Sequence, residues 1–164
     1  MHASFTPQKM IQRIQSVYLL AASLVLFALF LFPMVNNLIL NGHADSITVS
    51  GVYEVINGVR IKTSSLVLLS VVTIVAALLP LAGIFLYKDR KKQVSYCYIV
   101  IVLLIGFSFY SAETVKTIVG NITLQPENYG IGIILPSLAI VLMFLGIRNI
   151  NRDEKLVRSA DRLR

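Results

Sequence analysis

Marked for apolar and polar positions, the chain divides into four long apolar blocks joined by short polar ones. The first follows Lys9 and Arg13 in KMIQRIQSVYLLAASLVLFALFLFP and runs from about residue 16 to 35, with no charge between Arg13 and Asp45. The others fall at about 65–87, 94–112 and 129–147, bounded by Lys62 and Lys88, Lys92 and Glu113, and Glu127 and Arg148. About 20 apolar residues in a helix cross the hydrocarbon core of a bilayer. Backbone groups at that depth must bond within the chain, so each block predicts a transmembrane helix. VVTIV and YIVIVLL are rich in β-branched residues that favour strands in water. In lipid, length and backbone satisfaction outweigh that preference. Pro80 and Pro136 lie inside the second and fourth blocks, where each removes an amide donor and predicts a kink.

A secretory signal also opens with basic residues and an apolar run. Its apolar core is only about 7–15 residues long and ends at a small-residue cleavage site. The first block is longer and closes on LFLFPMVNN. It reads as an uncleaved first span.

Between the first two blocks, residues 36–64 change period. Ile47 and Val49 alternate with Ser46, Thr48 and Ser50, and VYEVINGVRIK follows Gly51. Asn57-Gly58 suits a two-residue type I′ turn, in which both positions take positive φ. That turn sets Ile56 opposite Val59 and Glu54 opposite Ile61, and puts Tyr53 and Val55 on one face with Arg60 and Lys62. Two strands alone are marginal in water. A third strand at 46–50, or packing on the helices, would complete the sheet. The predicted fold class is an all-α membrane protein, a four-transmembrane-helix bundle with a small periplasmic β-hairpin after the first helix, forming one domain over residues 1–164.

Composition agrees with that solvent. Of the 164 residues, 56% are apolar and 14% charged, against about 45–50% and about 25% in soluble domains. The net charge of +7 would suggest nucleic acid in a soluble chain, but its distribution points elsewhere. Twelve lysines and arginines precede the first block, join the second to the third, or follow the fourth; three (Arg60, Lys62 and Lys116) lie in the other two connections. By the positive-inside rule, both termini and the KDRKKQ connection are cytoplasmic. Acidic residues divide four and four, leaving +8 on the cytoplasmic side and −1 on the outer side. Six of the seven tyrosines fall near a block boundary, a depth that suits an amphipathic ring.

Chemistry-bearing residues are sparse. Pumps and transporters usually carry ionisable groups within their spans; here the block interiors hold no charged side chain, and their polar groups include the hydroxyls Ser23, Ser70, Thr73, Ser108 and Ser137, and Cys97. Such hydroxyls more often bond a helical carbonyl or a neighbouring helix than a substrate. One cysteine leaves no intrachain disulfide. His43 with Asp45 is a weak nucleophile-and-base pair, and Glu113 with Lys116 fits a structural i, i+3 ion pair. Gly130, Gly132 and Gly146 in the fourth block, and Ala76, Ala77, Ala82 and Gly83 in the second, permit close backbone approach. No catalytic, cofactor or metal residue is expected. The tail IRNINRDEKLVRSADRLR carries a helical apolar stripe and the favourable pair Glu154 and Arg158. Such a helix suits an anionic leaflet or a protein partner. The expected contact residues are Arg152, Lys155, Arg158 and Arg162 in the tail, and Tyr53 and Arg60 in the outer loop.

MIQRIQSVYLL, IFLYKDRKKQ, YGIGIILP and RDEKLVRSADRLR together resemble a family of small integral membrane proteins of Bacteroidota, domain of unknown function 4293. The resemblance covers nearly the whole chain from Met10. It implies a four-helix protein of the bacterial inner membrane with no assigned activity, and makes residues 1–9 an extension. The expectation is a non-enzymatic multi-pass protein, an accessory or scaffold subunit of an envelope complex. The alternative is a small-molecule or lipid transporter or sensor with a polar cavity in the bundle. Expected partners are the phospholipid bilayer and other membrane proteins or a second copy, with no nucleic acid and no cofactor.

Overall fold

The computed structural model describes residues 7–40, 43–56, 59–120 and 122–161; for 7–15, 39, 40, 43, 44, 55 and 153–161 only the backbone enters the description. Four helices carry most of the chain: α1 (Pro7–Phe27), α2 (Val67–Phe85), α3 (Arg90–Val119) and α4 (Leu135–Asp161). Three helical segments, Val67–Phe85, Arg90–Val119 and Ile131–Arg152, are long and apolar enough to cross a membrane; the apolar stretch Ser16–Phe30 is shorter. α1 packs on α2 and α4, and α3 packs on the same two. Each helix turns a stripe inward at intervals of three and four residues. Leu19, Ala22 and Leu26 of α1 meet Ala76 and Ala77 of α2, Val100, Leu104 and Phe107 of α3, and Ala139, Met143 and Ile147 of α4 in one buried cluster. The outward faces are as apolar as the inward ones: Leu24, Val71, Val75, Val102, Phe109, Val141 and Phe144 are all exposed. A helix apolar on every side is compatible with apolar surroundings on every side.

The element ends revise the expected boundaries. The first apolar run was expected to stay helical to residue 35. Instead α1 stops at Phe27, a 3-10 turn covers Ala28–Phe30, and Val35 already belongs to a strand. The cause lies at Pro33 and Met34, whose carbonyls accept from Gly132 N–H at 3.0 Å and Gly130 N–H at 2.8 Å. Both carbonyls are thus committed to the start of the fourth segment. A β-carbon on Gly130 would overlap the Pro33 carbonyl, and one on Gly132 would lie 2.7 Å from Phe32 O and 2.8 Å from Pro33 O. These glycines let two backbones touch. The expected kink at Pro136 is also corrected, because α4 begins only at Leu135. Pro136 therefore sits in the first turn, where the missing N–H has no helical partner to lose. α3 outruns its expected 94–112, and α4 continues from the fourth block into the tail as one helix of 27 residues, about 40 Å long.

Pro80 does lie within a helix, and α2 runs on through it. Proline leaves the carbonyl four residues earlier without its usual donor and disturbs the bonds around it. Neighbouring helices bond α2 carbonyls here. Ser23 Oγ donates to Ala77 O at 2.7 Å, Tyr96 Oη to Leu79 O at 3.0 Å, and Gln93 Nε2 to Gly83 O at 2.9 Å. Thr73 and Ser108 each donate to a carbonyl one turn back in their own helix, the ordinary role foreseen for such hydroxyls, and the one Ser70 proton is shared between Leu66 O at 3.0 Å and Val49 O at 2.9 Å.

The loop folds into more than a hairpin. β1 (Val35–Leu40), β2 (His43–Thr48), β3 (Gly51–Ile56) and β4 (Val59–Ser65) form an antiparallel sheet in sequential order. The pairing around residues 57 and 58 follows the expected register: Ile56 faces Val59, Glu54 faces Ile61, and Val55 faces Arg60. The Asn57-Gly58 turn itself lies outside the described residues. Residues 45–49 are all buried, because the β2–β3 turn presses into the helices. Val49 O accepts from Ser70 Oγ at 2.9 Å, and Ser50 O accepts from Leu66 N–H at 3.3 Å. The edge of β1 is covered: Val35 bridges to Tyr129, and Asn128 Nδ2 donates to Asn37 O at 3.0 Å. β4 is the other edge, and every one of its residues is exposed.

Candidate ligand cleft

The late start of α4 opens a gap. α3 continues to Val119, while the segment preceding α4 is drawn aside to clasp Pro33 and Met34. The last three turns of α3 therefore lack a helical neighbour on that side. The result is a cleft of about 590 Å³ at the sheet end, between α3, the start of α4 and the connection joining them. Met34, Val115, Val119, Ile133 and Pro136 supply apolar wall, and Ser108, Ser111, Thr123 and Ser137 supply hydroxyls. Lys116 also lines it and lies 3.6 Å from Glu113 in the ion pair expected from their spacing.

The hydroxyls are not equivalent. Ser108 donates to Leu104 O and Ser111 to Ser108 O, both at 2.9 Å, so their oxygens are left as acceptors. Ser137 and Thr123 are exposed, and neither makes a hydrogen bond among the described residues. An apolar trough with a few hydroxyls and one ammonium suits an amphiphile. Gly120, which ends α3 at φ +62° and ψ −126°, turns the chain over the cleft in a conformation that glycine adopts freely and other residues rarely do.

The residues expected to make contacts are distributed differently. Tyr53 is half-buried, and its hydroxyl lies 2.9 Å from Ser50 Oγ within the sheet, so it serves the β2–β3 turn. Arg60 is exposed on β4. Arg152 is exposed at the far end of α4, so the structure does not bring the two groups together. Lys155 and Arg158 continue α4 as backbone, and Arg162 lies outside the described residues. Asp45 is buried opposite Glu54 in the β2–β3 register; the side chain of His43 falls outside the description. Among the described residues, no three His, Cys, Asp or Glu side chains gather as a metal set.

The spacing argument passed over Gln93, which is buried at the α2–α3 turn. It also passed over the cleft, although Ser108 and Ser137 were recognised singly. The missing signal was the late helix start, marked in the sequence only by Pro136. Asp89, the N-cap of α3, accepts from Lys92 N–H at 3.2 Å. That bond, with the Lys92 ammonium 3.3 Å away, holds its carboxyl below the ordinary carboxylate range.

No curated protein matches the chain. The model of one family, described as a domain of unknown function, DUF4293, matches residues 11–163. That match takes in the clasp, the cleft and the sheet, and the chain belongs to the DUF4293 family.

Proposed function

We propose that the chain is a non-catalytic, multi-pass four-helix bundle of the bacterial inner membrane that holds an amphiphilic molecule in the outer-leaflet half of the bundle. The cleft between α3 and the start of α4 carries this reading: it joins apolar walls to hydroxyls and Lys116. The membrane setting draws support from the apolar outward faces and from the twelve-to-three division of lysine and arginine. On that orientation both termini are cytoplasmic and the sheet is periplasmic. Leu26, Leu104 and Met143 fill the space between the helices, which favours holding or sensing a ligand over passing one through. Ala112→Phe, placed at the cleft lining, tests it. In mild detergent, lipid extracts of the wild type should contain an amphiphile that extracts of the variant lack, at equal helix content. Identical extracts would refute the reading.

A second reading, an accessory subunit of an envelope complex, is favoured by the open edge of β4. It presents unpaired backbone groups beside Arg60 and Lys62 and no acidic residue. An extended acidic segment of a partner would add a fifth strand there. Lys62→Pro should abolish cross-links from that edge in native membranes. Unaltered cross-links would count against it.

A further inference from the structure

A second recess lies at the opposite end of the α3–α4 seam. It encloses about 490 Å³ between Tyr98 of α3 and Phe144, Ile147, Arg148, Asn151 and Arg152 of α4. Phe144, Arg148 and Arg152 follow one another at intervals of four, so they share one face of the helix. That face passes from apolar to doubly cationic over about 12 Å. Phe144 and Tyr98 are each about half exposed, and Ile147 is buried beneath them. Both arginines are exposed, and neither forms an ion pair with a described side chain; the acidic partners of Lys92 and Lys116 are Asp89 and Glu113.

We infer that this recess binds the headgroup phosphate of an anionic phospholipid from the cytoplasmic leaflet. The guanidinium groups of Arg148 and Arg152 take the phosphate oxygens, and the first acyl carbons lie along Phe144 and Ile147. A planar guanidinium fits phosphate through paired hydrogen bonds, and the Tyr98 hydroxyl and Asn151 amide supply further donors from the sides. Basic recesses between spans on the cytoplasmic side suit anionic headgroups, and tyrosine favours that depth. A zwitterionic headgroup would bring an ammonium against two arginines. A soluble anion would leave Phe144 unused. The inference rests on the orientation proposed above but not on any occupant of the outer cleft.

Native mass spectrometry of the full chain in detergent provides the test, with phosphatidylglycerol, phosphatidylcholine of the same chains and inorganic phosphate as ligands. Phosphatidylglycerol should be retained about tenfold or more over phosphatidylcholine, because both phosphates can take the guanidinium groups but only the choline ammonium meets like charge. R148Q/R152Q should erase that preference, the single exposed change R152Q should reduce it, and F144A should weaken the lipid but not inorganic phosphate. Equal retention of the two lipids, or a preference indifferent to R148Q/R152Q, overturns the inference. So does inorganic phosphate competing as well as the lipid, which would mark a site for a free anion. Ala112→Phe should leave the preference intact, so failure of the outer cleft and failure of this site are read separately.

Discussion

Replacing Gly130 by alanine attacks the contact between the end of α1 and the approach to α4. The added methyl would overlap the Pro33 carbonyl, and its next neighbours are Pro33 C at 2.9 Å and Met34 C at 3.2 Å. All three are backbone atoms, so no side chain can swing aside. Relief requires the two chains to part by roughly 1 Å, which takes both bonds out of good hydrogen-bond range. Those bonds are Gly130 N–H to Met34 O at 2.8 Å and Gly132 N–H to Pro33 O at 3.0 Å. Each contributes about 1 kcal/mol net, and buried groups left unpaired cost about 1–3 kcal/mol. Together these predict a loss of about 3–5 kcal/mol. Gly106→Ala is the control: nothing lies within 4 Å of its added carbon, and the change within α3 should be neutral or stabilising by up to about 1 kcal/mol. Reversible unfolding in mixed micelles, followed by circular dichroism, measures both. Equal stabilities for Gly130→Ala and the wild type would refute the account of the clasp.

Tyr96→Phe should destabilise by about 1 kcal/mol, because Leu79 O loses its side-chain donor; the same unfolding assay reads it, and Tyr98→Phe, which makes no hydrogen bond among the described residues, should change little. Cys97 is fully buried and should resist maleimide in the folded protein while reacting at once in denaturant, as a gel-shift assay would show. Asp89 should make stability pH-dependent. Its depressed carboxyl pKa means that its contribution is present above the ordinary value of 3.8 and fades as pH falls through the lower folded value. The stability of Asp89→Asn should therefore meet that of the wild type at low pH and fall below it near neutrality.

Much of the helical layout was legible because length and charge act along the chain. Lys62, Lys88, Lys92 and Arg148 mark the limits of three helical apolar segments. The pairing of Ile56 with Val59 was legible from Asn57-Gly58, a local signal. What escaped was long-range. VNNLIL begins where the first apolar run was expected to end, its two asparagines give no strand period, and only its bonds to β2 and to the approach to α4 make it a strand. Gly130 and Gly132 were readable as sites of close approach, but their neighbour is the extended backbone at 32–34 and not a helix face. The cleft follows from that same displacement, so no spacing within α3 or α4 announced it. Arg152 was readable as a cationic tail residue, whereas its place across from Tyr98 depends on how α3 and α4 pack.

The clasp also bears on the order in which the protein is built. Pro33 and Met34 leave the ribosome roughly a hundred residues before Gly130 and Gly132, yet it is from those glycines that their carbonyls accept. Until the fourth segment is synthesised, the early part of the chain holds two acceptors in waiting at the head of the sheet. Biogenesis therefore closes a circle, with the last helix locking the first. A chain cut after Val119 would retain three helices and all four strands but lose the backbone that seals them, and should be cleared faster than the full chain.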